Sequence, residues 1–162
     1  GANANDLIKG LSRFSGARRR FEIKGISKGI TVIDDYGHHP TEVKATLESA
    51  EIYAQGGRVI TVFQPHRYSR TQVFASEFAK ALSASDYTYL LEIYPASEQE
   101  IAGVSSLLIS KEMDSAIHSY QPSMPEVIES VAKMAKSGDV ILTLGAGDVS
   151  SLGKLILEAI ES

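Results

Sequence analysis

The sequence predicts an α/β domain built on a mostly parallel sheet of about six strands, with helices on both faces. Two observations carry that reading. Short runs rich in β-branched residues, at positions 30–33, 58–63 and 139–144, are too continuously apolar for half-exposed edge strands. Segments with helical spacing of apolar residues alternate with them, which implies βαβ units and right-handed crossovers. The expected arrangement is three-layered and Rossmann-like. At 162 residues, residues 1–162 are read as one domain with a core of its own.

Composition narrows the class. The hydrophobic fraction of 43% and charged fraction of 22% are those of an ordinary globular protein. No apolar run approaches the roughly 20 residues that span a bilayer, so no membrane is expected as a partner. The opening Gly1-Ala2-Asn3-Ala4-Asn5-Asp6 lacks the basic and apolar regions of a signal peptide. Without cysteine there is neither a disulfide framework nor a thiolate metal site, and the cytoplasm is the expected compartment. A net charge of −4 argues against a general nucleic-acid binder.

Taken in order, residues 6–14 read as a short amphipathic helix with Leu7, Ile8, Leu11 and Phe14 on one face, stopped by Gly16. Residues 18–23 read as a strand whose arginines Arg18, Arg19 and Arg20 form a solvated face, in preference to a phosphate site. Residues 24–29, with two glycines, read as a turn before the strand at 30–33. Pro40 suits the first helical position and Glu42 complements the dipole of a helix carrying Val43, Leu47, Ala50 and Ala54 inward to Gly56-Gly57. After the strand at 58–63, a helix is expected over 71–82. A strand at 86–94, a loop at 96–104 and a short helix at 105–113 follow. A weak strand at 116–120, a helix at 126–136, the strand at 139–144 and a helix at 150–160 complete the pattern.

In such a sheet the crevice lies beyond the carboxyl ends of the strands. Three crests there carry functional groups: Asp34 to His39, Gln64 to Arg70, and Gly145 to Asp148. Three of the four histidines, His38, His39 and His66, fall in the first two. Adjacent side chains at a strand end diverge, so one of Asp34 and Asp35, and one of His38 and His39, can address the crevice. Asp35 reads either as a helix-capping or turn-forming aspartate or as a ligand residue. The histidines lack the i, i+4 spacing of a helical metal site, and no metal is expected on this chain. Arg67 and Arg70, if the helix begins near Tyr68, project from one side beside His66. Two guanidiniums and an imidazole make an anion receptor, and their charge opposes the helix dipole, which favours a function. Gly145-Ala146-Gly147 lacks the third glycine of a dinucleotide fingerprint and follows the wrong strand, so it reads as a close-packed turn.

Asp34-Asp35-Tyr36-Gly37-His38-His39-Pro40-Thr41-Glu42-Val43 closely resembles the signature of the UDP-N-acetylmuramate–L-alanine ligases, members of the Mur ligase family of peptidoglycan synthesis. Phe63-Gln64-Pro65-His66-Arg67-Tyr68-Ser69-Arg70-Thr71 resembles that family's second motif. Phe14-Ser15-Gly16 with Arg19-Arg20-Phe21-Glu22, Glu92-Ile93-Tyr94-Pro95-Ala96 and Gly145-Ala146-Gly147-Asp148 match further blocks in order. One departure is Ala96-Ser97-Glu98, where many members carry Ala-Gly-Glu.

The resemblance implies the C-terminal, amino-acid-binding domain of a three-domain enzyme. The N-terminal domain for the UDP-sugar and the central ATPase domain are absent here, since no Gly-x-x-x-x-Gly-Lys-[Ser/Thr] occurs. The family's reaction phosphorylates the lactyl carboxylate of UDP-N-acetylmuramate with ATP, and the amine of L-alanine attacks the acyl phosphate, with Mg²⁺ present. By resemblance, Asp35 and Tyr36 lie towards ATP, with Asp35 a candidate ribose partner. Tyr36, His38, His66, Arg67 and Arg70 form the substrate-binding set, and His38, Arg67 and Arg70 position groups and stabilise charge during catalysis. ATP and Mg²⁺ are held mainly by the central domain, on which this one docks, and the domain alone is expected to be inactive. The alternatives are the related murein-tripeptide recycling ligase and a non-enzymatic binding or phospho-receiver-like domain. A receiver would need an acceptor aspartate on a later strand and a lysine after the last, which the strand ends at Phe63 and Leu144 do not offer.

Overall fold

The computed structural model describes residues 19–162. The helix expected at 6–14, its stop at Gly16, and Arg18 lie outside the described residues. Six strands form one sheet in the order β1-β2-β6-β3-β4-β5. They are β1 (Glu22–Ser27), β2 (Ile30–Asp35), β3 (Val59–Phe63), β4 (Tyr87–Leu90), β5 (His118–Tyr120) and β6 (Val140–Leu144). Only the β1–β2 pair is antiparallel. Helices α1 (Pro40–Ala54), α2 (Tyr68–Leu82), α3 (Leu107–Ser110) and α4 (Met124–Met134) make the crossovers. A 3₁₀ turn at Asp148–Ser151 leads from β6 into α5 (Leu152–Glu161).

Side chains alternate across each strand, so the same strands feed two cores. On one face Ile33, Phe63, Leu90, Leu142 and Leu144 pack with Val43 and Leu47 of α1, Phe78 and Leu82 of α2, and Ile109 of α3. On the other, Val32, Ile60, Val62 and Ile141 pack with Val127 and Val131 of α4 and Leu152 and Ile156 of α5. The result is the expected three-layer α/β arrangement.

The amino-terminal edge differs from the sequence expectation. The strand runs over Glu22–Ser27, and the turn shrinks to Lys28 and Gly29, with φ of +49° and +77°. Positive φ at both central residues matches the twist of a tight hairpin. Gly25, taken as part of the turn, instead lies inside the strand. The register slips by one residue between Ile23 and Gly25, a β-bulge. A Cβ on Gly25 would also meet the Cδ1 tip of Leu157 of α5 at 2.9 Å, so α5 packs over this part of the strand.

Elsewhere the differences are of extent. The strand expected at 86–94 pairs only over Tyr87–Leu90. Beyond it the Ile93 amide donates to the side chain of Glu92 at 2.7 Å instead of entering a ladder. Tyr94 then returns as a single bridge opposite His66. Helix α2 begins at Tyr68, three residues before its expected start, and the helix expected at 105–113 is helical only over Leu107–Ser110.

Candidate functional site

Strand β6 returns to the middle of the sheet, between β2 and β3. The three crests are therefore neighbours, at the place where strand order reverses and an α/β sheet opens a crevice.

The first crest begins with two buried carboxylates. Asp34 Oδ1 accepts from the Thr143 hydroxyl at 2.8 Å, and Oδ2 from Arg19 Nε at 2.9 Å. Asp35 accepts from the amides of Phe21 (2.7 Å) and Gly37 (2.8 Å) and from the Thr46 hydroxyl (3.0 Å). Charge withdrawn from water needs such donors. Both aspartates thus brace the crest, and Asp35 keeps only about one of a carboxylate's four or so lone-pair positions beyond these bonds. A Cβ on Gly37 would lie 3.0 Å from Asp35 Oδ1 and 3.2 Å from Leu144, so the backbone turns in a space only glycine fits well.

The two histidines part company. His39 caps α1, its Nδ1 accepting from the Thr41 amide at 3.3 Å, and its ring rests edge-on against Phe74 at 5.0 Å. Glu42 closes the cap by accepting the amides of His38 (3.0 Å) and His39 (3.1 Å). Burial pushes the Glu42 carboxyl up, but those two amides and the charges of both imidazoles outweigh it and hold the group below its usual range. His38 turns the other way, 5.2 Å from the Tyr36 ring and 5.7 Å from the His66 ring. Tyr36 is 43% exposed, open to a ligand.

In the second crest, Arg67 adopts φ +77° as the residue before α2 and bonds to Tyr94 through its amide at 2.8 Å. That geometry swings the two arginines apart, where a shared side was expected. Arg70 stays beside His66, 3.3 Å from its Nδ1, while Arg67 leans towards Glu98 at 3.9 Å. Glu98 also accepts the Ser69 hydroxyl (2.6 Å) and amide (3.1 Å). Those bonds, with Arg67, hold its carboxyl below the usual range despite some desolvation. Ser97, where many resembling sequences carry glycine, has φ +71°, a backbone position that favours glycine. His66 is held below the usual imidazole range by burial first, then by the charges of Arg70, His38 and Arg67, against a smaller pull from Glu98. Its ring stacks on Tyr94 at 5.7 Å and 19°.

The third crest packs behind these rings. Gly147 leaves room for Tyr94, which a Cβ there would meet at 2.6 Å, and for the Gln64 side-chain oxygen. Gln64 donates to Asp148 at 2.7 Å and accepts the Val149 amide at 3.1 Å, tying the second crest to the third. Gly145 donates to the Asp35 carbonyl at 3.1 Å, tying the third to the first.

Sequence reasoning missed Arg19, which is no solvated strand residue. Besides Asp34 it donates to the carbonyls of Gly145 (2.6 Å) and Gly147 (3.5 Å), and its guanidinium lies 5.2 Å from the Tyr36 ring centre. The signal was available in Asp34: a carboxylate at the end of a central strand calls for a cation.

Among the described residues, no three His, Asp or Glu side chains group as a metal site. Tyr36, His38, His66 and Arg70 do form one continuous cluster at the strand ends, each touching the next. The donors of this cluster suit an anionic group, with the carboxylates of Glu42 and Glu98 set beside His38 and Arg67.

The family model described as Mur ligase, glutamate ligase domain, matches residues 19–147, which include all three crests up to Gly147. The chain belongs to the Mur ligase family. A UDP-N-acetylmuramate–L-alanine ligase of Mycolicibacterium smegmatis is 50% identical over 159 residues, covering 97% of this chain and 33% of that protein. The ligase of the same name from Rhodococcus erythropolis is 43% identical over 173 residues, covering 100% of this chain and 34% of its own length. This Mur ligase domain thus spans about a third of the curated relatives it matches. Among solved structures, the UDP-N-acetylmuramate-alanine ligase of Thermotoga maritima superposes with a TM-score of 0.78 at 26% identity, over 98% of this chain and 33% of that one.

Proposed function

We propose that this Mur ligase domain is the C-terminal, amino-acid-receiving part of an ATP-dependent ligase that joins L-alanine to UDP-N-acetylmuramate. The observation that carries the reading is the contiguous cluster of Tyr36, His38, His66 and Arg70 at the strand ends, with both aspartates taken up by protein donors. In this reading a UDP-sugar domain and an ATPase domain precede it in the parent polypeptide, which works in the cytoplasm, and this domain docks on the ATPase domain during turnover. ATP supplies the phosphoryl group that activates the lactyl carboxylate, and Mg²⁺ balances phosphate charge. The described residues do not fit a resident Mg²⁺, since Asp34 and Asp35 are given over to protein donors, so the ion is assigned to the ATPase domain. Asp35 is assigned to the nucleotide side through its remaining lone pair on Oδ2, and Tyr36 borders the same side.

The residues of this chain then act by binding and orientation. Arg70 and Arg67 offer planar N–H donors to carboxylate and acyl-phosphate oxygens. A His66 held below its usual range donates as a neutral imidazole, without adding a third charge beside the two guanidiniums. Tyr36 and Tyr94 flank the imidazoles and limit their rotation. Such groups accelerate amide formation by holding amine and carbonyl at reacting distance and by stabilising the charge that develops on oxygen.

The test compares the parent polypeptide with residues 19–162 alone. Phosphate release from ATP that requires both UDP-N-acetylmuramate and L-alanine is expected from the parent and absent from the domain. Turnover by the domain alone, or a parent indifferent to either substrate, sinks the reading.

A further inference from the structure

The two neighbouring imidazoles, His38 and His66, are held in opposite tautomers. His38 Nδ1 lies 3.1 Å from the Tyr36 carbonyl oxygen and 3.6 Å from Glu42 Oε2. Both neighbours are acceptors, so Nδ1 carries the hydrogen and Nε2 keeps its lone pair. His66 is reversed. Its Nδ1 lies 3.3 Å from Arg70, a guanidinium that can only donate. Nδ1 therefore accepts and Nε2 carries the hydrogen. Among the described residues neither Nε2 has a hydrogen-bond partner, and the rings stand 5.7 Å apart.

A free acceptor nitrogen on one ring, and on its neighbour a free donor nitrogen with a guanidinium beside that ring, match an α-amino acid zwitterion: ammonium towards His38, carboxylate towards His66 and Arg70. We propose that His38 is the general base that makes the incoming amine nucleophilic, with its Nε2 removing a proton from the ammonium. This rests on the reading of this cluster as the amino-acid subsite. The proton passes from the ammonium nitrogen to His38 Nε2. The freed electron pair forms the C–N bond at the acyl-phosphate carbon, the C–O bond to phosphate breaks, and phosphate leaves with that electron pair. The second proton of the attacking nitrogen passes to the departing phosphate.

The surroundings fix the orientation of the ring. Glu42 on α1 is the anion facing Nδ1, with the Tyr36 carbonyl beside it, an orienting pair of the kind that fixes a catalytic histidine. His39 faces away as the helix cap. From the neighbouring crest Arg70 opposes positive charge, as does Arg67 further out, and Arg19 lies beyond the Tyr36 ring, while His66 is neutral. Those cations favour prompt return of the proton once the amide has formed.

The experiment uses the parent polypeptide and two nucleophiles. L-Alanine enters as an ammonium ion and needs a base, whereas hydroxylamine is uncharged at neutral pH and traps the acyl phosphate as a hydroxamate without one. His38→Gln keeps a side-chain amide near the Tyr36 carbonyl but has no basic nitrogen. The expected result is a fall in kcat with L-alanine of about 10²-fold at neutral pH, larger by about ten-fold or more than any fall in hydroxamate formation. The alanine defect shrinks as pH rises and free amine becomes abundant. Equal losses with both nucleophiles, a loss confined to KM for alanine, or a defect independent of pH each overturn the proposal. A parent that yields no hydroxamate overturns the functional reading itself, and the base role with it.

Discussion

At the scale of the residue, His66 shows how position sets protonation. Burial and three cationic neighbours depress its imidazole, so the unfolded chain binds a proton more readily than the folded one. Stability linked to this group is therefore fully present above the unfolded pKa of about 6.5. It is lost as pH falls from there towards the lower folded value, because protonation favours unfolding. By NMR the ring of His66 is expected to titrate below an unperturbed histidine. In Arg70→Met it is expected to titrate higher, since the largest of the charge contributions is gone while burial remains. An unchanged or lowered value in that variant removes Arg70 as a cause. His39 was indistinguishable from His38 in the sequence. Their roles separate only because one becomes the cap of α1 and the other is left over the crevice.

At the scale of the element, the start of α1 is where local sequence and chemistry coincide. Pro40 has no amide to satisfy, His39 caps, and Glu42 binds the two histidine amides. Glu42→Gln is expected to destabilise the fold by about 1 kcal/mol near neutral pH, read from denaturant midpoints. A depressed carboxyl contributes stability above its unfolded pKa and loses it as pH falls through the folded value. The gap between parent and variant should accordingly close in acid, and a gap constant with pH would contradict the assignment of charge to this cap.

Strands β2, β3 and β6 were legible because burial on both faces leaves unbroken apolar runs, a pattern that little else in a chain of this size produces. Strand β1 was misread because its glycine was taken as punctuation, whereas it sits at a β-bulge under Leu157, more than a hundred residues later in the chain. Sequence spacing carries no trace of such a contact. The helix start was misplaced for a related reason: Arg67 adopts a left-handed backbone held by the distant Tyr94 carbonyl.

At the scale of the whole molecule, the sequence foretold three crests on one edge but not their adjacency. Strand order follows from where the β5–α4–β6 crossover lands, and nothing in the spacing of residues reports it. The molecule draws the crests together with polar ties: Arg19 to Asp34 and Gly145, Gln64 to Asp148, Gly145 to Asp35. Arg19→Ala leaves Asp34, which has no solvent exposure, without its cation. The expected loss is about 3–5 kcal/mol, read by denaturation of the domain. Arg19→Lys should recover little, because a point charge cannot serve a carboxylate and a carbonyl at once as a planar fork does. Full recovery with lysine would show that charge alone matters there.

The same arginine bears on how the domain can move. Its carbonyl accepts the Tyr36 amide at 2.7 Å, and the Phe21 amide is held by Asp35 at 2.7 Å, so the backbone leading into β1 is fastened to the binding crest itself. Arg19 and Phe21 therefore cannot shift without β2. A displacement of either residue is passed by these two bonds to the strand end that carries Tyr36 and His38.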